Sequence, residues 1–236
     1  MSEVIKIKKG LDIRLKGKAE KIFGKAQLPG LFAIKPTDFH GVVPKMVVKK
    51  KGEKVKAGSV LFFDKNQPDV KFVSPVSGEL LDIIRGERRK ILEVVIKADG
   101  KDEMVEFGTE TIKDLKREDI TNKMLEAGAW PYVRQRPYDV IANPEENPKA
   151  IYISGFDTAP LAPDYDFIMT GKENEFQTGI DVLKKLCDNI HIGINDEAAS
   201  KIYTQAKGIT LHRFSGPHPA GAVGIQLHHV MPVNKG

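Results

Sequence analysis

The chain has 236 residues, 41% hydrophobic and 29% charged, with a single cysteine, Cys187. That length suits two ordinary domains, and the composition excludes disordered, fibrous and disulfide-stapled chains. A formal charge of +5 hides an uneven distribution, because residues 1–56 hold 15 Lys/Arg against 5 Asp/Glu and the remainder holds 22 against 27.

Reading from the start, Met1-Ser-Glu-Val-Ile-Lys-Ile-Lys-Lys lacks the parts of a signal peptide, so the chain is expected in the cytosol. The basic stretch Lys6–Lys56 reads as a solvated or partner-facing surface, with anionic membrane headgroups as the alternative. Its aromatics are Phe23, Phe32 and Phe39, and no nucleic-acid-binding motif surrounds them, so no nucleic-acid partner is expected. Apolar runs such as Val60–Phe63 and Ile151–Ile153 fall far short of the roughly 20 residues of a membrane span, so no direct bilayer crossing is expected either.

From Val42 to Ala98 the text predicts short strands at Pro44–Val48, Ser59–Phe63, Val70–Val73, Leu80–Ile84 and Ile91–Lys97, broken by turns at Lys51-Gly52-Glu53 and Arg85-Gly86-Glu87-Arg88. The order Gly52-x-x-Val55-x-x-Gly58-x-x-Leu61, then Ser74-Pro75-x-x-Gly78, resembles the biotinyl/lipoyl-carrier domain, a flattened sandwich of two similar halves. In such carriers a hairpin tip between the two motifs presents the modified lysine, and the nominal candidate is Lys65. Nine residues separate Lys65 from Pro75, more than carriers use, and Pro68 disturbs the turn, so a structural β module is favoured over a carrier.

Residues 118–128 predict a short amphipathic helix, with Ile120, Met124 and Leu125 near one face and Gly128 as its C-cap. The next segment, Ala129–Tyr138, holds two prolines and forms a loop. Trp130, Tyr132 and Tyr138 offer flat apolar faces and Arg134 and Arg136 planar charged donors, which suits stacking on an aromatic ligand or forming a partner contact. The alternative is that Trp130 and Pro131 cap the core.

Beyond Ala150 strands and helices alternate: Ala150–Ser154, helix Glu173–Cys187, Asn189–Ile194, helix Asp196–Lys207 and Ile209–Phe214. That succession predicts parallel strands joined by crossover helices. Neither G-x-G-x-x-G nor G-x-x-x-x-G-K-[ST] is present, so phosphate binding by this chain alone is not expected. Four of the six histidines, His212, His218, His228 and His229, crowd residues 212–229 without metal-ligand spacing, and adjacent His228 and His229 would face opposite sides of a strand. Cys187 reads as a buried inert thiol in a helix. The expected organisation is a basic segment 1–41 packed on the rest, a β module 42–99 and an α/β domain 110–236.

The segments Ile5–Gly17, Pro44–Gly58, Phe72–Gly78, Arg85–Arg89, Gly128–Pro137, Asp157–Ala162 and Gly216–Gly224 together resemble the amino-terminal portion of the A subunits of bacterial sodium-translocating NADH:quinone oxidoreductases. That resemblance implies a lipoyl-carrier-like barrel-sandwich hybrid, unmodified, followed by a Rossmann-like parallel α/β domain. It further implies a peripheral component on the cytoplasmic side of the bacterial inner membrane, partnered by the other subunits of the complex, including its membrane subunits. NADH, flavins and iron–sulfur centres would sit on those partners, ubiquinone would be the substrate of the complex, and this chain would carry no redox cofactor and no catalysis when isolated. Family members are about twice this length, so the chain reads as the front part of a longer protein. Trp130, Arg134, Arg136 and Tyr138 are the expected quinone or partner contacts. A group carrier using Lys65, or a component resembling the C subunit of an Rnf electron-transfer complex, are the alternatives.

Overall fold

The computed structural model describes residues 3–17, 19–197 and 200–233. Along the chain lie β1 (Val4–Lys6), β2 (Leu31–Ile34), β3 (Pro44–Met46), β4 (Lys54–Val55), β5 (Val60–Asp64), β6 (Lys71–Val73), β7 (Gly78–Arg85), β8 (Ile91–Ala98), α1 (Arg117–Glu126), β9 (Arg134–Gln135), β10 (Val140–Ile141), β11 (Ile151–Ser154), α2 (Tyr165–Ile168), α3 (Glu173–Leu186), β12 (Ile190–Asn195), α4 (Lys201–Thr204), β13 (Thr210–Ser215) and α5 (Val223–Val230). Two compact units result: Lys25–Glu146, and Met1–Gly24 together with Asn147–Gly236.

The first unit is the expected β module. Sheets ordered β2-β8-β7-β4 and β3-β5-β6 enclose Leu61, Phe62, Val70, Leu80, Val94 and Ile96, all fully buried. Phe62 and Phe72 stack at 4.5 Å between ring centroids, so aromatic area as well as aliphatic burial holds the sandwich closed. Gly52 and Gly58 take the left-handed conformation in the turns flanking β4, which a side chain would resist.

Helix α1 appears where its period and cap place it. It ends in a Schellman motif, in which Gly128 (φ 70°) donates to Leu125 O at 3.3 Å and Ala129 to Met124 O at 2.9 Å.

The second unit is a parallel sheet ordered β1-β13-β12-β11. On one face Ile192, Ile194, Ile202 and Tyr203 pack with Ile153, Met169 and Phe176; a second cluster joins Ile7, Phe214 and Ala220 to Phe156 and Ile225 of α5. Consecutive parallel strands with intervening helices give the layered α/β architecture that the alternation predicts.

Several expectations are corrected. The segment 1–41 is not one piece, because β1 pairs with β13 (Ile5 opposite Phe214) whereas β2 pairs with β8 in the sandwich. Residues 100–146, most of which the expected α/β domain 110–236 includes, pack by contact with the β module: Val105 N donates to Ala57 O at 2.8 Å, and a Cβ on Gly128 would fall 2.7 Å from Val73. The helix expected over Asp196–Lys207 shrinks to α4, since Asn195 Oδ1 holds Glu197 N in a turn at 2.9 Å and Ser200 Oγ caps Ile202 N at 3.2 Å; Ala198 and Ala199 lie outside the described residues. Cys187 follows the last residue of α3 in extended conformation and is half-buried, its Sγ 3.4 Å from Pro148 O. His228 and His229 sit on helix α5, not on a strand, because Ala222 starts a helix that the Gly/Pro-rich sequence before it disguises.

Candidate functional site

The aromatic–arginine segment follows directly from α1. A 3-10 turn, Trp130–Tyr132, drops the Trp130 indole into the interior, 3% exposed, where Nε1 donates to Ala142 O at 2.7 Å. The backbone then forms the β9–β10 hairpin, with Gln135 opposite Val140 and Arg134 opposite Ile141, and Arg136–Asp139 close its tip.

Asp139 organises that tip. Arg134 donates through Nη2 to Asp139 O at 2.6 Å and approaches its carboxylate through Nε at 3.4 Å, while Arg136 Nη2 lies 3.6 Å from Asp139 Oδ1. One carboxylate thus holds both guanidinium groups, and Arg134 is largely consumed by it. Tyr132 and Tyr138 remain 71% and 73% exposed, and Tyr132 meets the edge of Phe39 at 6.1 Å.

The four residues singled out from sequence therefore separate into kinds. Trp130 is a core anchor, Arg134 fixes the hairpin, and Arg136 and Tyr138 remain available at its tip together with Tyr132. Asp139 was missed. The signal for it is local, an aspartate closing a short connection that contains one arginine and a proline, with a second arginine two residues before the first.

In open parallel sheets ligands usually bind beyond the carboxyl ends of the strands. Here that edge is filled by clasped loops. Ser154 Oγ donates to Phe156 O and Gly221 O; Gly221 N donates to Thr158 Oγ1 at 2.9 Å; Thr158 Oγ1 lies 3.1 Å from His218 Nδ1; and His218 N donates to Asp12 Oδ1 at 2.8 Å. A Cβ on Gly221 would land 2.3 Å from Thr158 N, so the backbone amides that a phosphate would need face protein at close range.

Beneath α5 lies a polar layer: His191 Nδ1 is 2.9 Å from His212 Nε2, and the fully buried Gln226 donates through Nε2 to Ala220 O at 3.0 Å. Burial pushes both histidines below the ordinary imidazole value of 6.5, with the His191 neighbour lowering His212 further, and it pushes the Tyr152 hydroxyl upward. Because the folded pKa values lie below the unfolded ones, the unfolded state binds more protons as pH falls through 6.5, and stability declines there. Thermal midpoints are expected to hold above about pH 7 and to fall between pH 6.5 and 5, with a shallower fall in His212→Gln; an unchanged slope in that variant would remove the pair as the cause.

Among the described residues no group of three or more His, Cys, Asp or Glu is placed to hold a metal ion, and no helix is long and apolar enough to cross a membrane. Lys65 lies on the β5–β6 connection, exposed, with its backbone N donating to Val43 O at 2.8 Å, and Val70 N closes the loop onto Gln67 O at 2.9 Å.

Comparison with known proteins matches two family models in order along the chain, the second of which begins ahead of β11 of the parallel sheet and takes in α1 and the β9–β10 hairpin. A family model described as the NqrA N-terminal barrel-sandwich hybrid domain covers residues 5–99, and one described as the NqrA second alpha/beta domain covers residues 115–236. Proteins named as the A subunit of the Na(+)-translocating NADH-quinone reductase are similar over nearly the whole chain: that of Pseudomonas aeruginosa is 36% identical over 99% of it, that of Photorhabdus laumondii 36% over 98%, and that of Neisseria meningitidis 35% over 98%. The chain spans about half (52%) the length of these curated relatives. A barrel-sandwich unit carrying the paired glycine motifs, followed by the α/β unit with its own family match, leads to one assignment: the chain belongs to the NqrA family.

Proposed function

We propose that this chain serves as a peripheral component of a sodium-translocating NADH:quinone reductase, docked on the other subunits at the cytoplasmic side of the bacterial inner membrane. The observation that carries this reading is the similarity to NqrA proteins along both units, in the same order. In it, NADH oxidation, the flavins and the iron–sulfur centres belong to partner subunits. This chain carries no redox cofactor and contributes to assembly and to contact with ubiquinone. The packing of backbone against backbone at the carboxyl edge of the parallel sheet supports the cofactor-free reading.

For quinone contact the hairpin tip is the best-suited surface. Tyr132 and Tyr138 present exposed aromatic faces, and Arg136, only loosely held by Asp139, retains donors that a quinone carbonyl can accept from. Trp130 supports the tip from below and does not touch the ligand.

The test is co-purification of the full-length protein with its neighbouring subunits, followed by crosslinking with a photoreactive quinone analogue. Adducts are expected within residues 130–138, reduced several-fold in Arg136→Gln/Tyr138→Ala with the complex intact. Adducts confined to a membrane subunit would reduce this chain to scaffold, and failure to co-purify would remove the assignment to the complex.

A further inference from the structure

A trough runs along the outer side of β3, between the loop that precedes it and the end of the β7–β8 hairpin. Two adjoining cavities of about 460 and 400 Å³ share Pro44, Arg85 and Ile91 and so form one channel. Phe39, Val43 and Ile91 give it an apolar lining. Arg89 and Lys90 stand toward one end, Lys45 and Lys49 toward the other, and Arg85 where the two cavities join. None of these five cations forms an ion pair with a carboxylate among the described residues.

The β7–β8 connection holds its share of that charge in an unfavourable backbone. Lys90 N donates to Glu87 O at 3.1 Å and Gly86 N to Lys90 O at 2.8 Å, with Arg88 at φ 52°, ψ 30° and Arg89 at φ 61°. Two successive positive φ angles in so tight a turn favour Asn and Gly and disfavour side chains such as arginine. Arg85 Nη1 donates to Arg89 O at 3.2 Å, which ties a further guanidinium to the same turn. Strained residues of this kind persist where the surroundings or a function retain them.

We propose that this trough is the docking site for an acidic, extended segment of a partner subunit. The cations are spread along two cavities and do not converge on one point, which suits a chain bearing several carboxylates better than a single compact anion. An extended segment alternates its side chains, so apolar residues can settle on Phe39 and Val43, the latter 45% exposed, while the intervening carboxylates meet the rim. Arginine forks pair with carboxylates through two parallel hydrogen bonds, and complementary charge of this kind sets partner choice and register.

The proposal rests on membership of the complex, and lysine footprinting separates the two. The full-length protein, isolated in one sample and assembled into the complex in the other, is acetylated with a water-soluble succinimidyl ester, and labelling is read lysine by lysine by mass spectrometry. Lys45, Lys49 and Lys90 are expected to lose labelling at least five-fold on assembly while Lys101, exposed elsewhere on the same unit, is unchanged. Zero-length carbodiimide coupling then identifies the carboxylates joined to Lys90. The variant Arg88→Asn/Arg89→Gly, which gives the turn its preferred residues, is expected to raise the thermal midpoint of the isolated protein while weakening assembly about ten-fold. Unchanged labelling of the three lysines in an intact complex overturns the docking site. So does equal protection by phosphatidylcholine/phosphatidylglycerol vesicles alone, which would make the occupant a lipid surface. A protein that fails to assemble at all overturns the complex membership on which the site depends.

Discussion

Trp130→Ala is expected to destabilise the β unit by about 3–5 kcal/mol, the range for deleting a buried large aromatic side chain, because the indole is 3% exposed and its Nε1–H is spent on Ala142 O. Two effects add. A cavity opens between α1, the 3-10 turn and β6, and the Ala142 carbonyl loses its partner in a place that water enters poorly. Trp130→Phe keeps most of the volume and loses only the hydrogen bond, so it is expected to cost about 1–2 kcal/mol. Tyr138→Ala, at a side chain 73% exposed, should stay within about 0.5 kcal/mol of the parent. Chemical denaturation followed by circular dichroism orders the three variants. The parent and Tyr138→Ala can also be followed by fluorescence, since Trp130 is the only tryptophan and reports on the unit Lys25–Glu146. If Trp130→Ala were as stable as the parent, the indole would be free to serve a ligand, and its role as a core anchor would be wrong. The ordering also bears on quinone experiments: loss of contact in a Trp130 variant reports loss of the fold, whereas loss in Arg136→Gln/Tyr138→Ala reports the surface.

What the sequence reveals and conceals follows the range of the interactions. The turns at Gly52 and Gly58, the cap at Gly128 and the alternation from Ile151 onward are local signals, written within about one turn or strand of where they act, and the structure places those elements within a few residues of expectation. Strand β1 is three residues long and gains its identity only by pairing Ile5 with Phe214 across most of the chain, a partner that no local window contains. The same holds for the segment after β8, where Val105 packs back onto Ala57 of the sandwich. At the candidate site, composition identified a surface rich in aromatics and arginines but could not sort it. Whether an aromatic faces inward depends on the carbonyl waiting for it, and Ala142 lies twelve residues on. The trough was present in the sequence only as Arg85-Gly86-Glu87-Arg88-Arg89. Its meaning depends on a turn type that places arginine where glycine would be cheaper, visible once the backbone angles of Arg88 and Arg89 are known.

Gly78→Ala is expected to be more disruptive than its single added methyl suggests. Gly78 opens β7 and is held on both sides, opposite Val55 of β4 and Ala98 of β8. An added Cβ would lie 2.0 Å from the Lys97 carbonyl oxygen and 3.0 Å from the Ala98 Cα, both backbone atoms of the central strand pair. A side chain in the way can rotate; a ladder strand can yield only by breaking register. Moving β8 away would also strain the neighbouring hydrogen bond of Ser77 Oγ to Asp99 Oδ1 at 2.6 Å, which anchors the exit from β8. The expected cost is about 3 kcal/mol or more, in the range of overpacking without relief, a fall of roughly 10–20 °C in the thermal midpoint of the unit. Gly52→Ala supplies the comparison. Gly52 has φ +81° and nothing within 4 Å of its added Cβ, so its variant bears only the conformational cost of about 1–2 kcal/mol for a side chain in left-handed backbone. Gly78 also has φ +157°, so its variant bears a conformational cost together with the clash. Differential scanning calorimetry of both variants measures the difference: a clearly larger loss at Gly78 is expected from the added close approach of two strands, and equal losses would mean that the approach of Lys97 and Ala98 contributes nothing beyond the backbone conformation.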